Sequence, residues 1–219
     1  MLQNPEQLLL WCGASLVAAN KPSGLLTLPH GYDPSLPHLR SVLEPTFGRL
    51  WIVHRLDRET SEIVVLARTA DAYQHLNTQF QEKRAFKVYH ALVAGQPPWE
   101  NTTITNPLHS DSDRRHRTVV DPLKGRSAVT ELRVLRRFEG YSLLEAAPLS
   151  GRTHQIRAYL KHIGYPILAD PLYGDRTHLS HNLLQRLGLH ALSLTLIHPK
   201  TKETMIFEAP YPHDFSSML

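Results

Sequence analysis

His54, Arg55 and Asp57 stand within four positions of one another in "IVHRLDRETSEIVVLART", shortly before an apolar run, Ile63 to Ala67, that reads as a buried strand. A carboxylate at the mouth of such a strand is ordinarily a turn former or half of a structural ion pair, because buried charge is costly unless it is paired. The surroundings of Asp57 point further. Two basic side chains precede it, Arg58 follows it, and the hydroxyls of Thr60 and Ser61 complete a polar cluster bounded by "WIV" and "IVVLA". A carboxylate held against an arginine in a partly dry cleft stays ionised at neutral pH, since the opposite charge offsets desolvation. Such a group can act as a nucleophile or a base.

The natural partner for Asp57 lies far along the chain. In "SGRTHQIR" Arg152 sits on a glycine turn at the entrance to a helix, where a guanidinium can grip a carboxylate through two hydrogen bonds, a geometry lysine cannot reproduce. Read without that partner, it punctuates a helix whose outer face is basic. In "AFKVYHALVAG" the apolar period is two, so Lys87 and Tyr89 project from the same side of a strand. Tyr89 there is either a core aromatic or a platform for a planar ligand. The run Asp111 to Ser127 gathers Arg114, Arg115, Arg117, Lys124 and Arg126 against three aspartates, a solvated loop or a set of phosphate contacts.

Secondary structure has to bring these groups together. Leu16 to Ala19 predicts a strand closed by the turn "NKPSG"; Leu25 to Leu50 is loop-like apart from a short helix over Leu39 to Leu43. Tyr73, Leu76 and Phe80 recur with helical spacing behind a possible Thr69 cap. "AVTELRVLRRF" and "YSLLEAAPL", separated by Glu139 and Gly140, predict an antiparallel hairpin. Ile156, Tyr159, Leu160 and Ile163 form an apolar helical stripe that puts His154, Arg157 and Lys161 on the opposite, solvated face, with Gly164 as the stop. A second helix is expected over Leu183 to Leu187, and "ALSLTLIHP" with "TMIFEAP" predicts a closing strand pair. Strands and helices alternate without a strict βαβ rhythm, which favours a mixed, mostly antiparallel sheet with flanking helices, an α+β fold.

Composition narrows the function classes. The 219 residues, 42% hydrophobic and 20% charged, suit one globular domain over 1–219 and contain no uninterrupted apolar stretch long enough to span a membrane. The N-terminal apolar run has no basic leader, so a cytoplasmic location is expected. A single cysteine, Cys12, excludes an internal disulfide, and no zinc-type spacing joins it to the 14 histidines, so no metal is expected. A net charge of +4 permits a polyanionic partner without requiring one.

In order, "NKPSG", "HRLDRETS", "KVY", "GRSAVT", "SGRTHQIR" and "DPLYGD" resemble the RluA-type RNA pseudouridine synthases from about Leu16 to Pro210. The resemblance implies an α+β domain with a central catalytic cleft that converts uridine in RNA to its C-glycoside isomer without a cofactor. Carried over residue by residue, it makes Asp57 the catalytic aspartate, Tyr89 the aromatic that packs on the target base, and Arg152 the arginine that pairs with Asp57. Arg55 matches the arginine that enters the space left by the flipped nucleotide. Substrate contacts are further expected from His54 and Lys87, from Arg114, Arg115 and Arg117 in the basic loop, and from His154 and Arg157 on the helix. The expected partner is a structured RNA, a tRNA or ribosomal RNA stem-loop, met by a monomer, and only about 15 residues precede the first expected strand, too few for the separate S4-type domain of many relatives. One position departs from the family: Glu62 stands where glycine usually follows "TS". That leaves room for an RNA-binding member with impaired catalysis. A carboxylate glycosidase would need a second acid facing the first, for which Glu62 and Asp170 are the candidates.

Overall fold

The computed structural model describes residues 4–54, apart from 30, 32 and 34, then 58–174 and 184–219; the side chain of Glu62 is also outside the description. The chain divides into two compact units, one formed by Met1–Lys87 with Ala191–Pro210, the other by Val88–His190 with Tyr211–Leu219.

The first unit carries strands β1 (Leu9–Cys12), β2 (Leu16–Lys21), β3 (Trp51–Ile52) and β4 (Ser61–Ala67), with helices α1 (Leu39–Phe47) and α2 (Ala70–Gln81). Strand β1 pairs with β2, and β2 and β3 both pair with β4, all antiparallel. The continuous apolar run of β4 has a plain cause: both faces of the sheet are covered there. Ile63, Val65 and Ala67 join Leu16, Ala18, Leu76 and Phe207 in one core cluster. Val64 and Leu66 join Val17, Ala19, Leu39 and Leu43 in another, on the other side. Each valine, leucine or isoleucine among them, fully buried, contributes about 1.5–3 kcal/mol.

Helix α2 begins where its sequence says, with Thr69 Oγ1 accepting from the Ala72 N–H at 3.2 Å. Its least expected member is Gln79, which is fully buried. The Gln79 amide donates to the Ile197 carbonyl at 2.8 Å and accepts from the Ile197 N–H at 2.7 Å, closing the end of a strand. Helix α1 runs beyond the expected Leu43, through Pro45, to Phe47. His38 caps it, Nδ1 accepting from the Ser41 N–H at 3.2 Å, and Gly48 ends it at φ 75°.

In the second unit β5 (Phe86–Ala94, beginning in the first unit), β10 (Tyr141–Pro148), β9 (Thr130–Arg137) and β6 (Asn101–Ile104) lie in that order, with antiparallel pairing. The expected hairpin is β9 and β10. The basic loop is not wholly irregular: β7 (Leu108–His109) and β8 (Val119–Val120) pair within it. Helices α3 (Gln155–His162) and α4 (His213–Ser216) belong to this unit, and Leu92, Leu143, Leu168, Leu184, Phe215 and Met218 form its core cluster. The closing pair, β11 (Leu189–Ile197) and β12 (Thr204–Glu208), is antiparallel as expected. Of the helix expected over Leu183 to Leu187, residue 183 lies outside the described residues and Leu184 to Leu187 are not helical.

The double clamp on Ile197 predicts that Gln79→Ala destabilises the protein by about 2–4 kcal/mol, since it opens a cavity and orphans a buried N–H and carbonyl. Urea unfolding monitored by circular dichroism measures this directly.

Candidate active site and RNA-binding finger

Asp57 and Arg55 fall outside the described residues, but the chain on either side of them is fixed in detail. The clamp is Lys21, at the end of β2, whose side chain is fully buried. Its ammonium donates to the carbonyls of Thr60 at 2.9 Å, Leu25 at 3.0 Å and Pro22 at 3.1 Å, with a longer 3.4 Å contact to Arg58. The "NKPSG" turn is laced to the same segment: Ser23 Oγ donates to Glu59 O at 2.5 Å, Gly24 N–H to Arg58 O at 2.8 Å, and Arg58 Nε to Gly24 O at 3.1 Å. Gly24 has φ 87°, which a side chain would resist.

On the other flank His54 Nε2 accepts from the Val65 N–H at 3.1 Å, so the imidazole takes the place of a ladder partner on β4. Its Nδ1 lies 3.2 Å from Lys87 Nζ, and its ring packs on Phe80 with centroids 4.4 Å apart. Burial first, then the neighbouring Lys87 charge, hold the His54 pKa well below its ordinary 6.5. His54 is therefore neutral at physiological pH, and both ring nitrogens face protein groups. Glu62 sits in regular antiparallel pairing opposite Lys21, an extended backbone that any residue adopts.

In the second unit Tyr89 is 8% exposed and lies opposite Ala146. Arg152 turns its guanidinium onto the Ser127 carbonyl, with Nε at 3.2 Å and Nη2 at 3.1 Å. The turn that carries it is held by Gln155, a buried residue that sequence reasoning passed over. Gln155 Oε1 accepts from the Arg152 N–H at 3.0 Å and from Ser150 Oγ at 2.9 Å. Its amide nitrogen donates to Val129 O and Thr130 Oγ1, both at 2.9 Å. His154, next on the turn, has φ 52°, a left-handed conformation that costs a non-glycine residue about 1–2 kcal/mol.

Tyr173, from "DPLYGD", ties this turn to the basic loop. Its hydroxyl oxygen accepts from the Thr118 N–H at 2.7 Å and lies 3.1 Å from His154 Nδ1, while Thr118 Oγ1 donates to Thr153 O at 2.8 Å. Burial raises the Tyr173 pKa, so the hydroxyl keeps its proton and can donate it to His154.

The solvated basic face expected for α3 needs correction. Lys161 is exposed, but Arg157 is only 1% exposed. Its Nε and Nη2 donate to the two oxygens of Asp170, each at 2.8 Å, and its guanidinium carbon lies 5.2 Å from the Tyr173 ring centroid. Asp170 also accepts from the N–H groups of Leu172 and Tyr173. This carboxylate is spent on structure, which removes it as the second acid of a glycosidase.

In the finger of residues 108–126, Arg117 is half-exposed and pairs with Asp113 at 2.6 Å, and that hydrogen bond leads the causes lowering the Asp113 pKa. Arg115 donates to Pro171 O at 3.3 Å, and Arg114 is exposed. Among the described residues no cluster of three or more His, Cys, Asp or Glu is placed to hold a metal ion. No described helix is long and apolar enough to cross a membrane.

Two stability predictions follow from these charges. The folded protein holds His54 neutral while the unfolded chain binds a proton near the ordinary pKa, so below about pH 6.5 each unit of acidification costs up to about 1.4 kcal/mol on account of this residue. His54→Gln, which keeps an acceptor for Val65, is expected to flatten the decline of urea midpoint between about pH 6 and 4. Asp170→Asn strands the buried Arg157 charge and is expected to cost about 3–5 kcal/mol, part of which Arg157→Met combined with Asp170→Leu restores.

Comparison with known proteins identifies the family. Residues 15–162 match the family model described as RNA pseudouridylate synthase. An uncharacterized RNA pseudouridine synthase of Chloroflexus aurantiacus is 44% identical over 207 residues, covering 91% of this chain and 64% of the relative. Ribosomal large subunit pseudouridine synthase D of Neisseria meningitidis serogroup B is 34% identical, covering 94% of this chain and 58% of the relative. The chain thus spans less than two thirds of the length of these curated relatives. Among solved structures, Human RNA Pseudouridylate Synthase Domain Containing 1 superposes with a TM-score of 0.79 at 25% identity, covering 93% of this chain and 83% of that one. Human RNA Pseudouridylate Synthase Domain Containing 4 gives 0.78 at 25% identity, covering 97% and 92%. The chain, with its mixed α+β fold, belongs to the RNA pseudouridylate synthase family.

Proposed function

We propose that the protein isomerises specific uridines in structured RNA to pseudouridine, with Asp57 as the catalytic group. The observation that carries this reading is the fixation of both flanks of "HRLD", His54 onto β4 before it and Arg58 to Thr60 onto Lys21 after it. Such anchoring presents a short catalytic loop from a rigid base.

The reaction breaks the bond between N1 and C1′, turns the uracil, and joins C5 to C1′; C5 loses a proton and N1 gains one. No electrons are gained or lost, so side chains suffice. Asp57 either attacks C1′, displacing N1 and leaving again as C5 joins C1′, or removes the C2′ proton to give a glycal and returns it as C5 joins C1′. The target base has to leave the stack for either route. Tyr89 then offers its ring to the uracil, and Arg55 fills the vacated space. His54 orients the loop, while Lys87 keeps the cleft electropositive. Exposed cations of the finger bind phosphates. The names of relatives such as the Neisseria meningitidis protein support large-subunit ribosomal RNA as substrate. The reading takes residues 1–219 as a single catalytic domain working as a monomer in the cytoplasm.

The test is tritium release from RNA labelled at C5 of uridine. Wild-type protein is expected to release tritium from unmodified ribosomal or transfer RNA. Asp57→Ala is expected to reduce release at least about a thousandfold while RNA affinity changes less than about threefold. Failure of the wild type on every such RNA would leave an RNA-binding protein without this activity.

A further inference from the structure

We propose that Leu123, on the turn that follows β8 in the basic finger, is an apolar RNA contact that packs against an unstacked base or between base steps while the neighbouring cations engage phosphates. The proposal rests on the reading of RNA as substrate and adds a contact outside the catalytic motifs.

Leu123 is 94% exposed. Single exposed leucines are common on protein surfaces and carry no meaning by themselves. What sets this one apart is the turn beneath it. Asp121 Oδ1 accepts from the N–H groups of Leu123 at 2.9 Å and Lys124 at 3.0 Å, and Gly125 N–H donates to Asp121 O at 2.9 Å. The Asp121 N–H donates to Pro107 O at 3.0 Å, and Leu108 and Arg126 exchange backbone bonds of 2.9 and 2.8 Å. A Cβ on Gly125 would lie 2.3 Å from Asp121 O and 2.6 Å from the Pro107 carbonyl carbon. Every N–H from Asp121 to Arg126 is satisfied, Pro122 having none, and the turn is pressed onto Pro107. It holds Leu123 outward and is too tightly bonded to fold the side chain back at small cost.

The charges of the finger identify the partner. The acids of the finger are occupied: Asp111 by His116, Asp113 by Arg117, and Asp121 by the two backbone donors that lead the causes lowering its pKa. Arg114, Lys124 and Arg126 are exposed and form no salt bridge among the described residues, although the Lys124 charge also helps to lower the Asp121 pKa. An apolar knob set among such cations matches RNA, which offers phosphates to the cations and an unstacked base face or base step to the leucine.

The test measures binding of the full chain to unmodified large-subunit ribosomal RNA transcribed in vitro, over a range of potassium chloride concentrations. Leu123→Ala is expected to weaken binding about tenfold at every salt concentration without changing the slope of log affinity against log salt, and Leu123→Met to recover most of the loss. Lys124→Ala is expected instead to reduce that slope by about one phosphate contact. Affinity of Leu123→Ala within about twofold of wild type, or a slope that falls with it, would overturn the proposal, as would a Leu123-dependent affinity for vesicles or protein with RNA binding unchanged. Tritium release by the wild type on the same RNA is read in parallel. If release is absent, the enzymatic reading fails while a Leu123-dependent affinity still supports the contact; if release is present and Leu123→Ala binds normally, the contact alone fails.

Discussion

A buried ammonium ties together the "NKPSG" turn and the backbone of residues 58–60. Lys21 cannot shed its cost in a strand end closed to water unless its protons find acceptors, and it finds them on carbonyls from two loops, Pro22 and Leu25 on one side, Arg58 and Thr60 on the other. Separating those loops would orphan the charge. The same constraint recurs in the second unit, where Arg157 and Asp170 are buried together and Asp170 draws in the backbone of the 170–174 turn. In each unit a satisfied charge, more than local propensity, fixes a loop: residues 58–60 in the first, 170–174 in the second.

The protein spends its cations in two ways. Lys21 and Arg157 are consumed by structure, Arg117 is offset by Asp113, and Arg133 grips Glu145 through two hydrogen bonds. Arg114, Lys124 and Arg126 are left facing solvent. A net charge of +4 understates this concentration, because a polyanion responds to the local field of the finger and not to the sum over the chain.

Elements governed by local pattern were legible in the sequence. The two-sided burial of β4 shows as an unbroken "IVVLA", and α2 announces itself by period and by Thr69. The hairpin of β9 and β10 follows from alternation around Glu139 and Gly140. What stayed hidden depends on partners distant in sequence. Helical periodicity sends an arginine between apolar neighbours to the solvated face, yet Arg157 turns inward because Asp170, thirteen positions on, satisfies it. Gln79 and Gln155 look like ordinary surface residues until the backbone groups they serve, at Ile197 and at Val129 and Arg152, are in place. Short strands such as β1, β3, β7 and β8 gave too few residues for a period. Of the candidate site, the residue types were readable, while the roles of Lys21, Gln155 and Tyr173 in holding them were not.

On the proposed function, magnitudes show why so much rigid scaffolding surrounds so little chemistry. Extruding a base costs a few kcal/mol of lost stacking and pairing, and one aromatic contact such as Tyr89 returns only about 1–3 kcal/mol. The stacking contact alone barely breaks even, so the extruded state needs further contacts whose geometry is set before RNA arrives. Side chains ordered only on binding would surrender about 0.5–1.5 kcal/mol each in lost rotamer freedom. The Gln155-braced turn under Arg152, the Tyr173 link to Thr118 and the closed turn beneath Leu123 have met that ordering cost during folding. On that proposal, their contribution to catalysis is the entropy that binding no longer has to supply.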